Sequence, residues 1–211
     1  MKRTLQRRCC LLFLQNHFKI KTKEKNEMIT FKEVNGRIVM VVKDALILSR
    51  PYRNFEGRAS DYNPAGGKRE FGVVIEDPEL AQQMAADNWN VKTITNRDGK
   101  DFLYGVKAGG DDIHWLPVKV KYKKDNGEPT IPPKFTIRTK NNELYYEEET
   151  IKELDNVDLV DVRLVINPSR KTVNGKNFTT AYLKSFSATL IDESYLFDDE
   201  DGDSSFPFDA D

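Results

Sequence analysis

"HWLPVKVKYKK", His114 to Lys124, alternates residue by residue. Side chains of an extended strand point to opposite faces with a period of two. Leu116, Val118, Val120 and Tyr122 therefore share one face, and Trp115, Lys119, Lys121 and Lys123 share the other. The stretch "KFTIRTK", Lys134 to Lys140, repeats the pattern, with Phe135 and Ile137 on one face and Lys134, Thr136, Arg138 and Lys140 on the other. Each stretch offers an apolar face to a core and a basic face to solvent. Paired as a hairpin across "DNGEPTIPP" (125–133), they would form a positive platform carrying Trp115, suited to phosphates and a stacked base. Lysines on such a face also do a plainer job, discouraging edge-to-edge pairing.

The same period of two runs outward from this segment. It predicts strands over 38–48, 69–76, 89–94, 102–107, 114–123, 134–140, 158–167 and 177–191. One helix is predicted in "DPELAQQMAADN" (77–88), where Asp77 can cap, Pro78 suits the first helical position and Leu80, Ala81, Met84 and Ala85 line one face. "EEETIKELD" (147–155) suggests a shorter one. Turns are marked by "NPAGG" (63–67), "NRDGK" (96–100), "AGGDD" (108–112), "DNGEPTIPP" and "NPSRKTVNGKN" (167–177). No internal repeat is present. Many strands with short connections and one or two short helices predict a mainly β, OB-fold-like small barrel, an architecture often used to bind single strands or oligosaccharides.

The formal net charge of -1 hides three segments of different sign. Residues 1–27 hold eight basic and two acidic residues, residues 28–191 hold 25 and 23, and residues 192–211 hold nine acids and no base. This predicts a basic flexible extension, one domain of 164 residues large enough for a single core, and an acidic disordered tail. Cys9 and Cys10 are adjacent and offer neither a disulfide framework nor a zinc spacing, which points to a reducing, cytoplasmic setting. The apolar run Cys9–Leu14 is too short for a membrane span, so no membrane partner is expected. Met28 is a candidate alternative start to Met1.

A second basic and aromatic cluster lies in "RPYRNFEGRASDYNPAGGKREF" (50–71). Arg50, Arg53, Arg58, Lys68 and Arg69 interleave there with Tyr52, Phe55, Tyr62 and Phe71, against three acids. Bases stack on aromatic rings whatever their identity and phosphates attract cations, so this composition fits a sequence-tolerant single-strand binder. Phe71, before "GVVI", is expected to point inward, and Tyr52, Phe55 and Tyr62 to be available for contact.

Catalysis finds little support. The domain has one histidine, His114, and no cysteine, so no Ser/His/Asp or Cys/His arrangement can be assembled, and a non-enzyme is expected. Asp111, Asp112 and His114 lack further ligands at metal-binding spacing, and "NPAGGK" lacks the spacing of a phosphate-binding loop. Neither metal nor cofactor is expected.

The chain resembles the single-stranded DNA-binding proteins of tailed bacteriophages. The resemblance is carried by "NFEGRASDYNPAGGKREFGVVI" (54–75), the helix running into "DNWNVK" (87–92), "VDVRLVINPSRKTVNGKNFTTAYLKSFSATL" (160–190) and the tail, and spans roughly residues 28 to 211. It implies an OB-fold body that binds single-stranded DNA in phage replication, recombination or repair. It also implies a tail that occupies the DNA groove when DNA is absent and recruits replication or recombination proteins when displaced. Asp198, Asp199, Glu200, Asp201 and Asp203 would supply the charge, and Phe206 and Phe208 the anchors. A second copy of the chain is a further expected partner. The competing expectation is a β-rich interaction module or inhibitor whose acidic tail mimics DNA.

Overall fold

The computed structural model describes residues 28–49, 52–59, 64–95, 112–124 and 127–191. The expected strand over 102–107 lies outside these residues, as do the N-terminal extension and the acidic tail. In chain order the elements are β1 (Ile29–Val34), β2 (Arg37–Val42), β3 (Arg53–Asn54), β4 (Arg69–Ile75), helix α1 (Pro78–Ala86) and β5 (Lys92–Thr95). They continue with β6 (Asp112–Val120), β7 (Lys134–Arg138), β8 (Glu143–Tyr146), a 3₁₀ helix (Ile151–Asp155), β9 (Asp158–Val173) and β10 (Lys176–Ile191).

Five of these strands close into a barrel, in agreement with the OB-fold-like prediction. β2 pairs antiparallel with β9, matching Met40, Val41 and Val42 to Ile166, Val165 and Leu164. The chain then bends at Asp44, whose φ is 50°, and crosses to the opposite side of the barrel. Ala45 N–H still donates to Val162 of β9, whereas Leu48 N–H donates to Gly72 and Leu46 accepts from Val74, both on β4. β4 pairs antiparallel with β6, β6 runs parallel to β10 at Ala181 and Tyr182, and β10 pairs antiparallel with β9. One bent segment thus joins both ends of the sheet, leaving the short β6–β10 junction as the thinnest part of the wall.

The interior fills as the alternation demands. Leu116, Val118 and Val120 of β6 meet Phe71 and Val73 of β4 and Phe135 and Ile137 of β7 in one buried cluster. At its centre Phe55, Phe71, Phe135 and Phe186 pack ring against ring, with centroids 5.2 to 5.8 Å apart. These separations suit edge and offset contacts between aromatic quadrupoles. α1 covers one end of the barrel with Ala81 and Met84; Asp77 caps it and Pro78 begins it, as expected.

β6 and β7 do not form the expected hairpin. Residues 122–124 instead pair with 128–130, Thr130 N–H donating to Tyr122 and Lys124 N–H to Glu128. The chain then returns to the edge of β10 that β6 has just left, and β7 runs parallel to Ser185–Thr189. Consecutive strands here lie end to end along one long strand. "NPSRKTVNGKN" is also not all turn: β9 and β10 continue to Val173 and Lys176, and only Asn174 and Gly175, with φ of 51° and 75°, turn the chain.

Candidate nucleic-acid interface

β4, β6 and β10 present a continuous outer face. Lys119 of β6 lies beside Tyr182 of β10 and opposite Glu70 of β4, so the three share the outside of the wall. Lys121 reaches over the Tyr182 ring, its Nζ 5.7 Å from the centroid. A half-buried aromatic is thereby bracketed by two lysines on an exposed sheet surface, an arrangement that offers a base a ring to stack on and a phosphate a charge to meet.

Further along the same face, Trp115 is only 7% exposed. Tyr52 packs edge-on against it at 5.3 Å between centroids, Lys92 Nζ sits 5.0 Å from its ring, and Leu48 and Val74 close the rest. Gly72 makes this packing fit, since a Cβ there would come within 2.7 Å of Leu48 Cδ1 and 2.8 Å of Trp115 Cε3. The period of two put Trp115 on the outer face correctly but could not show that Leu46, Leu48 and Tyr52 fold over it. Trp115 is therefore corrected from an exposed platform to a covered ring, while Tyr52 and Lys92 present the surface above it.

The arginine-rich segment is also redistributed by the fold. Phe55, expected to be available for contact, is fully buried in the aromatic cluster. Asp155, at the end of the 3₁₀ helix, accepts from Phe55 N–H at 2.7 Å and Glu56 N–H at 3.0 Å, and its backbone oxygen accepts from Arg53 at 3.2 Å. Arg58 lies 3.4 Å from the Asp155 carboxylate and 2.9 Å from Glu56. Arg69 pairs with Glu148 at 2.7 Å and stands over the Tyr122 ring. Burial pushes the Tyr122 phenol up to about 12, against the opposing pull of Arg69. Arg53, Arg58 and Arg69 thus make intramolecular contacts that hold the 53–58 segment and β4 to the 3₁₀ region.

Lys68, Lys123, Lys134 and Lys140 are exposed, and Arg138 lies 3.5 Å from Glu143 on β8. Lys134 and Arg138 flank Thr136 on the outward side of β7, as the alternation predicts. They continue the wall beyond Lys119 because β7 follows β6 along β10. Arg50, Tyr62, Asp198, Asp199, Glu200, Asp201, Asp203, Phe206 and Phe208 lie outside the described residues. Among the described residues no three His, Cys, Asp or Glu side chains gather into a metal-binding group. Tyr182 and Lys92 were not among the sequence candidates. Tyr182 could have been found from its alternation with Ala181 and Leu183 inside a predicted strand; Lys92 needed the β5–β6 register.

The family model "Putative phage ssDNA-binding domain" matches residues 31–196. The chain belongs to this family. Similar solved structures include the single-stranded DNA-binding protein from bacteriophage Enc34 in complex with ssDNA, 15% identical over 80% of this chain and 98% of that chain, with a TM-score of 0.42. A C-terminal truncation of the Enc34 protein is 14% identical over 80% of this chain and 98% of that chain, with a TM-score of 0.41. Bacteriophage T7 gp2.5, a single-stranded DNA binding protein, is 10% identical over 84% of this chain and 100% of that chain, with a TM-score of 0.34. No curated protein matches the chain.

Proposed function

We propose that this protein is a non-catalytic binder of single-stranded DNA, acting in phage DNA replication, recombination or repair in the cytoplasm of an infected bacterium. The observation that carries the reading is Tyr182 bracketed by Lys119 and Lys121 on the outer wall of an OB-fold-like barrel. Membership of the phage ssDNA-binding domain family supports it. A strand laid along β6 and β10 meets a ring at Tyr182 and cations on both sides. Tyr52 and Lys92 above Trp115 extend the surface toward β5, and Lys134 extends it along β7. The nine acids of residues 192–211 supply a tethered competitor for these cations and a hook for replication or recombination proteins.

Fluorescence anisotropy of a labelled oligonucleotide across a salt series tests the reading. The Lys119→Ala/Lys121→Ala variant should bind more weakly and flatten the dependence of log K on log salt by about 0.7 for each phosphate no longer neutralised. Wild-type affinity and slope in the folded variant would remove this face from the interface. A wild-type protein that binds no single strand would overturn the function.

A further inference from the structure

β8 (Glu143–Tyr146) ends the sheet on one side. Among the described residues it pairs with β7 alone, so the backbone groups that alternate with those turned toward β7 meet no strand. Its two faces are inherited from β7. Leu144 stands opposite Ile137 and Tyr146 opposite Phe135, both of them buried, whereas Glu143 and Tyr145 stand opposite Arg138 and Thr136 on the outside. Yet Leu144 is 40% exposed and Tyr145 is 73% exposed, because among the described residues no further strand lies beyond them. An open edge with an apolar inner side is a template for one more strand.

The charge around this edge is one-sided. Residues 143–153 hold five glutamates and one lysine. Glu148 is taken by Arg69, and Glu143 lies 3.5 Å from Arg138. Glu147, Glu149 and Glu153 are exposed, with no ion pair among the described residues. These charges select the occupant. A second copy of the edge would set glutamates against glutamates, and the acidic residues 192–211 would be repelled. Residues 18–25, "FKIKTKEK", have the opposite character: Phe18, Ile20 and Thr22 alternate with Lys19, Lys21 and Lys23. An extended conformation would set Phe18 and Ile20 on one face and the lysines on the other.

Reach is sufficient. One row of paired residues crosses the sheet from Ile29 through Val42, Leu164, Phe186 and Phe135 to Tyr146. At about 4.8 Å between strands, the row covers about 24 Å along the sheet, and the curl of the sheet brings its ends closer than that. Residues 22–28, fully extended, span about 23 to 25 Å. A segment tethered at this range meets the edge at an effective concentration on the order of millimolar. The outer edge of β1 is nearer in sequence, but Ile29–Val34 carries one lysine and one glutamate, so charge does not favour it.

We propose that residues 18–21 of this chain add a strand to the outer edge of β8, with Phe18 and Ile20 covering Leu144 and the lysines meeting Glu143, Glu147 and Glu149. The proposal does not depend on what the wall of β6 and β10 binds. It gives the two charged ends of the chain different destinations, the acidic edge for the first and the basic wall for the last.

Amide hydrogen exchange of the full chain, read residue by residue by NMR, tests it. The outward amides within Glu143–Tyr146 should exchange on the order of tenfold more slowly in wild type than in Ile20→Pro/Lys21→Pro, the scale of one backbone hydrogen bond. Adjacent prolines remove a donor from either edge of an added strand. Lys19→Glu/Lys21→Glu should lose the same protection, and combining it with Glu147→Lys/Glu149→Lys should restore it. Slow exchange at Phe135 and Ile137 marks an intact barrel in each variant. Identical exchange of β8 in wild type and the proline variant would overturn the proposal. So would a change confined to Ile29–Val34, which puts the segment beside β1, or protection that falls on dilution, which assigns the added strand to a second copy.

Discussion

Asp155 ties together parts of the chain about a hundred residues apart. Its two carboxylate oxygens accept from Phe55 N–H and Glu56 N–H, and it is almost wholly buried. An Ala at this position leaves the buried Phe55 N–H without an acceptor, at a cost of roughly 1 to 3 kcal/mol. Asp155→Ala should therefore lower the denaturant midpoint, whereas Glu56→Ala, which removes only the exposed partner of Arg58, should leave it nearly unchanged. Tyr122 sets a different limit. The folded protein holds the phenol proton to about pH 12, while the unfolded chain releases it near 10. Between these values the native state binds more protons than the unfolded one, so stability present below pH 10 is lost as pH rises toward 12. Tyr122→Phe should remove this part of the alkaline decline in melting temperature and leave the neutral-pH value close to wild type.

At the scale of elements, α1 depends on its first turn. Asp77 Oδ1 accepts from Glu79 N–H at 2.9 Å and Leu80 N–H at 3.3 Å. Asp77→Ala should cost about 0.5 to 2 kcal/mol of unfolding free energy in a urea titration, and Asp77→Asn, which can still cap, much less. This helix was legible because cap, proline and apolar spacing agree locally. β6 and β7 were legible one at a time for the same reason, since alternation needs no partner. What no local pattern contains is pairing: nothing in "KFTIRTK" says that β7 lies beside Ser185–Thr189 instead of beside β6. The hairpins were hidden for a more specific reason. "VNGR" at 34–37 and "VNGK" at 173–176 both place Asn-Gly at a two-residue turn with positive φ, the signal for a tight hairpin. The first lies at the margin of the predicted strands, so β1 was not expected, and in the other Pro168 disguises a strand as a loop. The site was legible as a basic face and illegible as a surface. Lys119 and Lys121 follow from alternation, but the burial of Phe55 and Trp115 depends on segments that arrive from elsewhere in the chain.

For the whole molecule, charge is divided among a basic first segment, a weakly basic body and a strongly acidic end, +6 for residues 1–27, +2 for residues 28–191 and -9 for residues 192–211. If the acidic segment competes for the barrel wall, deleting residues 192–211 should tighten oligonucleotide binding. The gain should be largest at low salt and fade as the screening length falls to about 3 Å at 1 M salt. Equal affinities for the full and shortened chains at every salt concentration would leave that segment a role only with protein partners.

The position of β10 also fixes the order in which this protein can be made. It is the last described strand, and β6, β7 and β9 all pair with it. Until it leaves the ribosome, β6 and β9 have no neighbour on the edges it will fill, and the aromatic cluster lacks Phe186. Contacts of such large sequence separation form slowly, and exposed strand edges invite aggregation while they wait. A nascent chain that stops short of Lys176 lacks both Tyr182 and the closing strand. With Tyr182 as the stacking ring proposed above, competence for DNA and completion of the fold would arrive together, with the final sixteen residues of the sheet.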